Sequence, residues 1–128
     1  MLLYHGTSKL NALLIKNNGF SFEYCGKNWG STYGKAIYLT NNYKEALFYA
    51  NGNDINNGSE EVGEILKVFV FDINIIKLTK DYSPNDKKHI KEIKTIISYL
   101  KINTNKNCLL NLNENEFIFF KTFNYLII

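Results

Sequence analysis

The chain has 128 residues, 45% hydrophobic and 15% aromatic, which is enough for one domain spanning residues 1–128 with an apolar core and no disulfide or metal staples. Fifteen basic against twelve acidic residues leave a formal charge of +3, a weaker bias than nucleic-acid binders usually show, and no apolar run is long enough to cross a bilayer. All the basic residues are Lys, so chemistry that needs a guanidinium fork is excluded, and Cys25 and Cys108 are too isolated to suggest a zinc site or a disulfide framework.

Met1-Leu2-Leu3-Tyr4-His5 reads as a first core strand, without the features of a secretory signal. Thr7 or Ser8 then caps a helix in which Leu10, Leu13 and Leu14 recur at helical spacing, closed by Gly19. Residues 20–35 carry Phe20, Phe22, Tyr24, Trp29 and Tyr33 among Gly and Ser, which is the composition of a loop packed over a pocket. Ala36 to Thr40 is a short strand, and Asn42 with Glu45 forms a capping box opening a helix from Tyr43 to Ala50. Asn51 to Ser59 is Gly- and Asn-rich and reads as a flexible turn. Glu64 to Phe71 is rich in Val, Ile and Phe and reads as a strand.

Beyond Pro84, an apolar stripe of Ile90, Ile93, Ile97 and Leu100 predicts an amphipathic helix over Asp86 to Lys101. Its Lys87, Lys88, Lys91 and Lys94 read as a solvated face, and His89 as exposed. An Asn-rich stretch leads to Cys108-Leu109-Leu110, and strand-like runs follow at Glu116 to Phe120 and Tyr125 to Ile128.

Three blocks carry the chemistry: Tyr4-His5-Gly6-Thr7, Gly34-Lys35-Ala36-Ile37-Tyr38 with Tyr49 eleven residues on, and Asn115-Glu116-Phe117-Ile118. Taken singly, His5 fits a structural histidine at a strand end and the two tyrosines fit a core. Glu116 is harder to dismiss, because a carboxylate within an apolar strand is costly to bury; Glu114 is the alternative acid. In this order, and with Gly19-Phe20 after the first helix, the blocks resemble the catalytic domain of the ADP-ribosyltransferases, in the poly(ADP-ribose) polymerase-like class named for its His-Tyr-Glu triad.

The resemblance spans nearly the whole chain. It implies an α+β fold of two small, mainly antiparallel sheets around an NAD cleft with flanking helices. It also implies NAD as substrate and no metal. By the same resemblance His5 bonds the adenosine ribose, the Gly6 backbone holds the nicotinamide carboxamide through its N–H and C=O, and Thr7 is a further NAD-binding residue. Tyr38 and Tyr49 sandwich the ring, and Glu116 stabilises the oxocarbenium-like charge as the glycosidic bond breaks.

Ala46 stands where the family usually has a Ser, and the loop after Gly19-Phe20 has no Arg for the adenine side. Mono-ADP-ribosylation of a protein or nucleic-acid acceptor is the expected activity, acting in the cytoplasm, as a viral or delivered protein if it works in a host cell. NAD hydrolysis and non-catalytic binding of NAD or ADP-ribose are the alternatives. No membrane partner is expected.

Overall fold

The computed structural model describes residues 1–22, 36–56, 63–83 and 85–128. The segment holding Gly34, Lys35, Cys25 and Trp29 lies outside the described residues, as do residues 57–62, which include the last three of the turn expected from Asn51 to Ser59.

Strand β1 (Leu2–Thr7) leads into α1 (Lys9–Asn18). Ser8 Oγ accepts the Asn11 N–H at 3.2 Å, and Gly19 closes the helix at φ 77° with its N–H on the Ile15 carbonyl at 2.7 Å. The leucine stripe behaves differently from its spacing: Leu10, Leu13 and Leu14 are exposed, and Ala12 is the buried residue. A methyl side chain lets the helix lie close to the sheet, with Ile15 packed beside it.

Strand β2 (Ile37–Thr40) precedes α2 (Tyr43–Asn56). This helix runs six residues beyond its expected end at Ala50, through Asn51 to Asn56 that composition assigned to a turn. At Ala50 the helix backbone lies hard against the end of β1 and the chain entering β3, since a Cβ on Gly63 would overlap both the Ala50 and Thr7 carbonyl oxygens.

Next come β3 (Glu64–Phe71), the unanticipated three-residue β4 (Ile75–Lys77), α3 (Lys87–Asn103), β5 (Cys108–Leu110), β6 (Glu116–Phe119) and β7 (Asn124–Ile127). The Asp86 carboxylate caps α3 by accepting from Lys88 N at 2.9 Å and His89 N at 3.3 Å. The four lysines of its face are exposed, as read. His89 is not: it is half-buried, edge-on to Tyr82, with Nδ1 accepting the Ser83 N–H at 3.0 Å.

The fold is α+β. The expectation of two separate sheets is corrected: the strands pair continuously in the order β4-β5-β6-β2-β1-β3-β7, with only β4 and β5 parallel. The two halves of this mixed sheet nevertheless meet through a single pair, Tyr4 opposite Thr40, whereas β1 and β3 match over six residues. The β1–β2 junction is therefore the narrowest ladder in the sheet.

Period-two alternation sorts the side chains onto two faces. Leu3, Ile37, Leu39, Val68, Phe117 and Phe119 build one core under α1; Ala36, Leu109, Ile118 and Phe120 build the other with Ile93, Ile97 and Leu100 of α3. No helix among the described residues is long and apolar enough to cross a membrane.

Candidate functional site

Glu116 opens β6 directly opposite Thr40 of β2, so both side chains leave the sheet on the face that α2 covers. The turn before it is fixed by one residue. Asn111 Oδ1 accepts from Asn115 N at 3.0 Å and Glu116 N at 2.9 Å, while its Nδ2 donates to Asn115 Oδ1 at 2.7 Å. Glu114, the alternative acid, sits in this turn at φ 60° and pairs with Lys77 at 3.1 Å on the surface.

From above, Tyr49 of α2 donates its hydroxyl to Glu116 Oε1 at 3.3 Å. Thus two of the residues singled out from sequence, sixty-seven positions apart, meet in space. Burial, then the negative charge of Glu116 and Glu45, pushes the Tyr49 phenol well above its ordinary range, so it remains a proton donor. The Glu116 carboxyl is pushed up to about 7, first by burial and then by a hydrogen bond to Glu45 and that residue's charge.

Glu45 is the member that sequence reasoning missed. As the expected capping-box acid it would reach back to the Asn42 N–H. Instead Asn42 N donates to Thr40 Oγ1 at 3.0 Å, and Asn42 Oδ1 caps the helix alone by accepting from Lys44 N at 3.0 Å. The Glu45 carboxylate turns to the sheet, where Oε2 accepts from Asn115 Nδ2 at 2.6 Å and Thr40 Oγ1 at 3.1 Å. Its partner lies seventy residues away, beyond any local motif.

Gly6 explains how α2 reaches this position. A Cβ at Gly6 would overlap the Ala46 carbonyl oxygen, so only glycine lets the helix backbone sit on β1. Ala46 itself is fully buried in that contact. The peptide of Gly6 has a second property. Met1 exchanges backbone hydrogen bonds with Val70 across the β1–β3 ladder, and alternation then turns the N–H and C=O of Tyr4 and Gly6 toward β2. Pairing with β2 is made at Tyr4, leaving the Gly6 peptide facing the point where the ladder stops.

His5 lies at the same point but on the other face. Its ring meets Phe20 edge-on at 5.2 Å, and its Nδ1 is 2.8 Å from the Tyr38 carbonyl oxygen. A carbonyl only accepts, so Nδ1 carries the proton. Burial lowers the proton affinity of the ring, which leaves a neutral imidazole with Nε2 as an acceptor.

Tyr38 is half-buried against the α3-side core. Thr7 is buried on the His5 face at the end of β1, and the strand alternation does not bring it to Glu116. The structure thus gathers Tyr49 and Glu116 under α2, links His5 to the Tyr38 backbone, and joins the two sets only at the β1–β2 junction.

Among the described residues no group of His, Cys, Asp or Glu could hold a metal ion. Cys108 is buried with its thiol pushed up to about 12 by burial, which suits a core residue and not a nucleophile. No family model matches this chain, and no curated protein matches it either.

Proposed function

We propose that the chain is an NAD-dependent mono-ADP-ribosyltransferase with an ADP-ribosyltransferase-like fold, its two half-sheets hinged at the β1–β2 junction. The observation that carries this reading is the Tyr49 hydroxyl on the Glu116 carboxylate at 3.3 Å, beneath a helix seated on Gly6. An aromatic ring and a carboxylate side by side suit a flat cationic ring joined to a sugar that becomes positive during reaction.

In the reaction proposed, NAD lies across the β1–β2 junction. The Gly6 N–H and C=O would take the nicotinamide carboxamide in the manner of a strand partner, and Tyr38 and Tyr49 would flank the ring. Nε2 of His5 would accept a ribose hydroxyl proton, and Thr7 at the strand end would close that side. The bond from ribose C1′ to nicotinamide nitrogen breaks with its electron pair going to nicotinamide, which leaves neutral. Positive charge then develops at C1′ and the ring oxygen, where ionised Glu116 stabilises it more than it stabilises the ground state. The acceptor attacks C1′ and gives up its proton to the carboxylate. We assign the reaction to the cytoplasm, with a protein or nucleic acid as acceptor.

Adenylate-labelled NAD incubated with the protein and cell extract tests this. Wild type should transfer label to a macromolecule, and Glu116→Gln should lower the rate by on the order of 100-fold or more. Equal rates for the two proteins would refute transfer. Label recovered as free ADP-ribose would instead identify a glycohydrolase. Ala46, buried and without a hydroxyl for the nicotinamide amide, favours a second reading, in which the site binds NAD without turning it over; tight binding with no nicotinamide release would select it.

A further inference from the structure

The side chains around Glu116 are unusual for a lone catalytic acid. From α2 it faces Glu45 and Tyr49, from the segment after β4 it feels Asp81, and across the sheet stands Thr40. The charges of Glu45 and Asp81 both favour its protonated form. Lys77, at the end of β4, is held by Glu114 of the β5–β6 turn at 3.1 Å.

Glu45 is anchored firmly. Its Oε2 accepts from Thr40 and Asn115, the neighbours of Glu116 across and along the sheet, which sets the Glu45 carboxyl beside that of Glu116, whose proton affinity it raises. Two carboxyls can hydrogen-bond each other only if a proton lies between them. Such a pair titrates as a unit, one proton leaving at unusually high pH because two adjacent anions repel.

We infer that Glu45 is a positioning residue for Glu116: the two carboxyls share one proton in the resting site, and the positively charged nicotinamide ring of NAD drives that proton into solvent as it binds. The inference rests on the NAD reading of the site. Charge balances simply, since one cation enters and one proton leaves. The pair is then doubly ionised beside the sugar before the glycosidic bond breaks. After cleavage nicotinamide is neutral, and the proton given up by the attacking acceptor resets the pair. Thr40 and Asn115 fix where the shared proton lies, which keeps Glu116 turned to the site and not toward bulk water.

Two measurements separate this inference from the reading beneath it. In ligand-free protein, the carboxyl carbon of Glu116 followed by NMR should titrate near neutrality, and Glu45→Gln should move the midpoint down by about one pH unit or more. Gln keeps an oxygen for Thr40 and Asn115, so a structural role alone would leave the midpoint where it was. An unmoved midpoint overturns the proton-sharing pair, whatever NAD does.

The second is calorimetry with a non-hydrolysable, cationic NAD analogue at pH 7, in buffers of different ionisation heat. Wild type should release roughly half a proton per dinucleotide bound, the reduced dinucleotide with its uncharged ring should release none, and Glu45→Gln should release less. Equal release by the two dinucleotides overturns the coupling. Failure of both to bind removes the NAD reading and the coupling together, while the ligand-free titration still judges the pair separately.

Discussion

Glu116 holds its proton more tightly in the folded chain than an ordinary carboxylate does, with the midpoint raised from 4.5 to about 7. Between these values the folded state binds more protons than the unfolded state, so stability falls as pH rises through that window and stays lower above it. Glu116→Gln removes the charge while its amide can still accept from Tyr49 and donate to Glu45. It should therefore raise the melting temperature at pH 8, by on the order of 5 °C, and change it little at pH 4; thermal melts of both proteins at the two pH values check this. An equal effect at both would mean that ionising Glu116 costs the fold nothing.

At this same scale the sequence was informative where a motif fixes a residue type. His5, Gly6, Tyr38, Tyr49 and Glu116 were singled out by three ordered blocks that resemble a known family, and of these only Glu116 stood out by itself, as an acid in an apolar strand. Glu45 did not, because a local rule already explained it. Its position three residues after Asn42 satisfied the capping-box pattern, and the bonds that redirect it come from β2 and the β5–β6 turn.

Among the elements, α3 shows periodicity at its most reliable. Ile93, Ile97 and Leu100 are all nearly or fully buried, Asp86 caps the first turn, and the opposite face carries exposed lysines. Ile93, fully buried in the core beneath β2, β5 and β6, anchors the helix to the half-sheet that carries Glu116. Ile93→Ala should cost about 2–5 kcal/mol, measured by chemical denaturation, whereas Lys94→Ala should stay within about 0.5 kcal/mol. Comparable losses would show that the helix does not rest on this face.

The first two helices depart from their patterns in different ways. In α1 the leucines have helical spacing, yet the helix packs through Ala12 because the sheet there lies close. In α2 the local composition argues for a turn from Asn51 onward, yet the helix continues to Asn56, with its backbone at Ala50 close against the chain entering β3. Strand β4 left no trace in the sequence reading. It has three residues, and its only partner, β5, lies thirty-three positions further along in parallel register.

For the molecule as a whole, mixed α and β character was legible, but the pairing between strands was not. Alternation marks a strand and its buried face without naming its neighbour, so a continuous seven-strand sheet and two separate sheets look alike in sequence. Joining the halves by one residue pair leaves the Gly6 peptide facing the end of the β1–β2 ladder, close to the Tyr38 carbonyl that His5 Nδ1 holds at 2.8 Å, and in the proposed NAD reading a ligand seated there would touch both half-sheets at once.

A co-crystal structure with a nicotinamide analogue tests this most directly. An NAD site here predicts its carboxamide on the Gly6 N–H and C=O, its ring between Tyr38 and Tyr49, and Glu116 within hydrogen-bond reach of the attached ribose. Density for the analogue elsewhere on the protein, or an unoccupied β1–β2 junction at saturating ligand, would contradict it.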